Sequence, residues 1–66
     1  MHIMNKRGTL DNIVTYEHIC DTNEDMHNIP KKESTLGSIA LVLNGNNGGI
    51  EIYIADGQSN WNLISN

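Results

Sequence analysis

Apolar and polar residues alternate along several short stretches of this chain, and the alternation predicts a sheet. In "IVTYEHIC", residues 13–20, Ile13, Thr15, Glu17 and Ile19 alternate with Val14, Tyr16, His18 and Cys20. The stretch is rich in β-branched and aromatic side chains, so it predicts a strand. Neither face is purely polar, which suits a strand covered in part on both sides. "SIALVLN" at 38–44 is the most hydrophobic stretch, with Ile39, Leu41 and Leu43 on one face and Ala40 and Val42 on the other. "GIEIYIA" at 49–55 returns with Ile50, Ile52 and Ile54, which are expected to face inward, and "WNLI" at 61–64 reads as a short last strand.

The intervening segments carry turn chemistry. "NGNNGG" at 44–49 supplies Asn and Gly where positive backbone φ is required, and "DGQSN" at 56–60 turns the chain again. "DTNEDMHNIP" at 21–30 differs. Asp21 or Thr22 can cap a short helix, acidic residues fall in its first turn, and Pro30 stops it. Thr22 with Asp25 approximates a capping box, and Met26 and Ile29 would be the apolar contacts of one or two turns. "KKESTLG" at 31–37 is a polar connection. Residues 1–12 lack a sustained period and read as an arm or an edge strand. The expected fold is therefore α+β and mainly antiparallel β: one strand, a short helical turn, then a three-stranded β-meander. An extended N-terminal arm over 1–12 would precede a single small β-rich domain over 13–66.

Composition narrows the class. At 66 residues the chain forms one domain at most, near the lower limit at which an apolar core stands alone. Cys20 is the only cysteine, which excludes an internal disulfide and suits a reducing compartment. With Tyr16, Tyr53 and Trp61 the only aromatics besides histidine, any core must be built mainly from Ile, Leu and Val. A net charge of −4 with four Lys and Arg argues against a nucleic-acid partner. No apolar run reaches the roughly 20 residues of a membrane span, and the N-terminus lacks the apolar centre of a signal peptide. The expectation is a soluble protein made in a cytoplasm.

Candidate chemistry is sparse. Asp21, Asn23 and Asp25 match the first, third and fifth ligand positions of a calcium-binding loop, but Met26 and Lys32 stand where Gly and Glu are required. His18, Cys20 and His27 have the residue types of a zinc or thiol site without the paired spacing. Glu51 and Asp56 are carboxylates in a chain too short for a deep cleft, and Gly48–Gly49 lies between strands rather than opening a helix. No catalytic residue, metal or cofactor is expected. Tyr53, Asn60 and Trp61 are the candidate platform for a glycan, against the plainer reading that Trp61 closes a core short of large side chains.

"KRGT" at 6–9 and "GGIEIYIADGQSNWNLI" at 48–64, with "YEHICDTNEDMHNIP" between them, resemble a short module of bacteriophage fibre, tail and head accessory proteins. In that module an Arg-Gly-Thr arm precedes a hairpin ending Asp-Gly-x-x-x-Trp. Lys6, Arg7, Gly8 and Thr9 correspond to the arm, and Asp56, Gly57 and Trp61 to the hairpin. The resemblance implies a non-enzymatic virion protein, a head decoration or a minor head-fibre or tail accessory component, made in a bacterial host. It would associate with itself, as a trimer, and with the major capsid or other virion proteins. A host glycan bound at Tyr53 and Trp61 is the alternative. Larger relatives continue into a shaft or receptor-binding domain, whereas this sequence stops two residues after Ile64.

Overall fold

In the computed structural model, which describes residues 2–10, 12–46, 48–58 and 60–65 (Leu10 by its backbone alone), five strands form one sheet. They are β1 (His2–Leu10), β2 (Ile13–Thr22), β3 (Ile39–Asn44), β4 (Glu51–Ala55) and β5 (Trp61–Ser65). A helix, α1 (Asn23–His27), and a 3-10 turn (Lys31–Glu33) lie between β2 and β3. The strands stand in the order of the chain. Asp11 of the first turn, and Asn47 and Ser59 of the later loops, lie outside the described residues.

The protein is mainly β, as the alternation predicts, but the sheet is mixed. β3, β4 and β5 form the expected antiparallel meander, while β2 pairs parallel with β3 through Glu17↔Ile39, His18↔Ala40, Ile19↔Leu41, Cys20↔Val42 and Thr22↔Asn44. A parallel pair needs a crossover of a dozen or more residues, and residues 23–38 provide it. Residues 2–10 are the edge strand of that same sheet, paired antiparallel with β2 from His2↔Cys20 to Leu10↔Ile13. The edge-strand reading of this segment therefore replaces the free arm. Asn12, at φ 67°, makes the turn into β2.

The crossover packs on one face only. Thr22 caps α1 through its hydroxyl, which accepts from the Asp25 amide at 3.3 Å; Met26 of the helix and Ile29 just beyond it pack onto Cys20, Ala40 and Val42. Those five residues are the core cluster, with Tyr53 and Trp61 packed partly buried against it. Small side chains on β3 let the helix approach, and Met26 fills the space with an adaptable thioether. The expectation that Ile50, Ile52 and Ile54 point inward is overturned: the covered face of β4 carries Glu51 and Ala55, and Ile52 and Ile54 are half-buried on the opposite face with Ile39 and Leu41, while Ile50, ahead of β4, is exposed.

Hydroxyl groups stitch the start of the crossover's return to β2. The Tyr16 amide donates to Ser38 Oγ at 3.1 Å, Ser38 Oγ and Thr35 Oγ1 are 2.8 Å apart, and Thr35 Oγ1 donates to the Val14 carbonyl. The β3–β4 loop is closed by Gly45 and Gly49, the Gly45 amide donating to the Gly49 carbonyl at 2.8 Å. Gly45 has a second constraint: a Cβ there would overlap the carboxyl group of Glu51, which is buried and hydrogen-bonded. We predict that Gly45→Ala destabilises the protein by about 1–3 kcal/mol, as overpacking does. Urea unfolding followed by circular dichroism measures it; an unchanged midpoint would show that Glu51 moves aside freely.

Candidate functional site

The side chains with chemistry on them fall into three places: a histidine-centred cluster under the crossover, a buried polar triad at the end of β4, and the exposed edge and turn that carry the sequence motifs. His18 is fully buried at the centre of β2. Its Nε2 lies 2.7 Å from the Glu33 carbonyl oxygen and its Nδ1 lies 2.7 Å from His2 Nε2. A carbonyl only accepts, so Nε2 carries the proton, and in the neutral ring Nδ1 then accepts from His2 Nε2–H. The rings of His18 and Trp61 meet edge to face at 89° with centroids 5.8 Å apart, and the Tyr16 ring lies tilted beside His18 with its centroid 6.1 Å away. One imidazole thus ties the first strand, the crossover and the last strand together.

Burial pushes His18 below the ordinary imidazole value, a tendency opposed by the Glu33 carbonyl bond and reinforced by the neighbouring His2. A second proton on His18 would place an N–H against the His2 nitrogen that now donates to it. Two imidazoles and a carbonyl are a poor donor set for a metal, and no group of three or more His, Cys, Asp or Glu placed to hold an ion occurs among the described residues. Cys20, also fully buried, has its thiol pushed up to about 11 by burial and by the charge of Asp25, so it is a neutral packing group.

The polar triad is Asn23, Glu51 and Tyr53. Tyr53 Oη donates to Glu51 Oε1 at 2.7 Å, and Asn23 Nδ2 reaches Glu51 Oε1 at 3.2 Å and Tyr53 Oη at 2.9 Å. The bond to Glu51 raises the Tyr53 pKa by holding the phenolic proton. Asn23 joins the helix start to β4 in this way, while its Oδ1 is buried without a hydrogen-bond partner.

The motif residues are exposed in part and dispersed. Lys6, Arg7 and Thr9 lie exposed along β1, and the pairing with β2 shifts register between Lys6 and Gly8, leaving Arg7 as the extra residue of a bulge. A bulge with a Lys beside it also blunts a sheet edge against unwanted pairing. Asp56 organises the last turn: its Oδ1 accepts from the Gln58 amide at 2.8 Å and the Asn60 amide at 3.3 Å, and Oδ2 accepts from Asn60 Nδ2 at 3.3 Å. The Gln58 bond leads those that hold the carboxyl below its usual range. Gly57 takes φ 84°, and a Cβ there would press on Leu36.

Tyr53 stands opposite Leu63, and Trp61 opposite Ala55. The ring partner of Trp61 is His18, the Tyr53 hydroxyl is engaged by the triad, and Asn60 is engaged by Asp56. Tyr53 and Trp61 thus lie diagonally across the β4–β5 pair on the covered face, both packed against the core cluster, and no pocket opens among the described residues. Sequence reading missed His18 as a hub and Glu51 as a buried acid. An isolated His or Glu within an alternating strand looks like any polar member of it. No family model matches this chain, and neither the curated proteins nor the solved structures contain a significant match.

Two outcomes follow. Unfolded chains bind the His18 proton at a pKa near 6.5, above the folded value, so the stabilisation from neutral His18 is complete at about pH 7 and above and is lost as pH falls through 6.5 towards the folded value. Melting temperature should drop between pH 7.5 and 5.5, and His18→Gln should flatten that dependence; a slope as steep in the variant would assign it elsewhere. Cys20 should resist a thiol reagent in the native protein and react at once in denaturant, since its thiolate is both disfavoured and enclosed.

Proposed function

We propose that this protein is a small, non-enzymatic structural component of a bacteriophage virion, a head decoration or a minor head-fibre or tail accessory protein. It acts by associating with copies of itself, as a trimer, and by attaching to the capsid or another virion protein. The observation that carries the reading is where the aliphatic residues go. Of the fifteen Ile, Leu and Val whose side chains are described, only Ile29 and Val42 are buried. A chain that keeps so little of its apolar content for its own core is built to be completed by neighbours.

The motif residues fit this role better than a chemical one. Lys6 and Arg7 present two of the chain's four positive charges on an exposed edge, beside Thr9, where a neighbouring subunit or an acidic capsid surface can meet them. The Asp56–Gly57 turn and Trp61 hold the opposite end of the sheet in shape.

Mass spectrometry of purified virions of the phage that encodes the chain tests the reading. The protein should be present in a fixed ratio to the major capsid or tail protein, and Arg7→Glu should lower that ratio while leaving the melting temperature within a few degrees. Absence from particles, with the protein abundant in the lysate, would point to a cytosolic role instead.

A further inference from the structure

We infer that copies of this protein associate through the aliphatic face of the sheet, the one that the crossover leaves open. The inference rests on the proposed self-association and names the surface that makes it.

The face is continuous because paired residues point to the same side. Ile19 stands beside Leu41, Leu41 beside Ile52, and Ile39 beside Ile54, with Leu43 continuing the β3 row. All six are only half-buried in the single chain. Ile3, opposite Ile19 on β1, extends the patch to the edge at 45% exposure. Around the apolar centre the same face presents Asn5 and Glu17 on one side and Asn62 on the other. An apolar centre with a polar, partly charged rim is the anatomy of a protein interface.

The area suits a second copy. Five strands about 4.8 Å apart and five residues long at about 3.3 Å each give a face of roughly 24 by 17 Å, on the order of 400 Å² in projection and more as accessible surface. With its rim it approaches the roughly 800 Å² per partner of a standard interface. That is a large share of a chain exposing 4160 Å² in all. The occupant is another copy because the centre bears no charge to be matched, so the patch is complementary to itself, as closed symmetry requires. A lipid surface would call for cations around an apolar face, and the rim here carries Glu17. Two copies would stack their sheets about 10 Å apart; three would turn the same faces towards a threefold axis.

Light scattering on the purified full chain tests this. Wild type should have the mass of two or three chains of 7.3 kDa. Leu41→Lys, at the centre of the patch, should have the mass of one and keep a β-sheet circular dichroism spectrum. Leu36→Lys, an equal change at an exposed site in the connection before β3, should leave the wild-type mass. If Leu41→Lys loses its fold, Ile39→Thr and Ile54→Thr, which retain β-branching, should each raise the dissociation constant at least tenfold. A single-chain mass for wild type, or an oligomer indifferent to these substitutions, overturns the inference. A single-chain protein still found in virions would remove this inference and the self-association it rests on while leaving virion attachment standing, whereas an oligomer absent from virions would remove the virion role and leave this inference standing.

Discussion

The crossover between two parallel neighbours governs this structure. β2 and β3 run the same way, so the chain must travel back along the sheet between them, and residues 23–38 do so over one face. Every other allocation follows. The covered face receives small or polar strand residues, Cys20, Ala40, Val42 and Ala55, because the bulk comes from above, from Met26 and Ile29. The opposite face, with nothing to cross it, keeps the branched aliphatics.

A core made this way is thin, and polar groups reinforce it. His18 and Glu51 are both buried, which is unfavourable unless each is hydrogen-bonded. His18 is satisfied by His2 and the Glu33 carbonyl, and Glu51 accepts from Tyr53 and Asn23. Both constellations join segments far apart in sequence, so they select one arrangement of strand, crossover and hairpin rather than adding much apolar area. The unpartnered Asn23 Oδ1 shows the limit of so small an interior.

Local features of the fold were legible in the sequence, and directional ones were not. Thr22 as cap, Met26 and Ile29 as anchors and the Asp56–Gly57 turn are set by neighbours within a few residues and stand where the pattern put them, while α1 ends earlier than Pro30, at His27 with Asn28 as its cap, and Pro30 opens the 3-10 turn. Alternation identified β2 to β5 to within two residues at each end. It is silent on partner direction: Ile13–Thr22 has the same period whether its neighbour runs parallel or antiparallel. It also misjudged the inward face of β4, because hydrophobicity ranks Ile above Ala for burial, whereas a helix lying close to a sheet selects for size. His18 had no local signal at all, since its partners lie at 2, 33 and 61.

The parallel pair also sets an order of events for the chain. Every β2–β3 pairing, from Glu17↔Ile39 to Thr22↔Asn44, spans 22 residues, whereas the three hairpins can start from pairings 3, 9 and 6 residues apart, at Leu10↔Ile13, Val42↔Glu51 and Ala55↔Trp61. Loop closure is the slow part of forming non-local contacts, so the hairpins can zip on their own while the central seam waits for α1 to dock. Until that seam closes, two preformed ribbons exist with open backbone edges, and the rate at which the helix lands decides how long those edges are available to anything else.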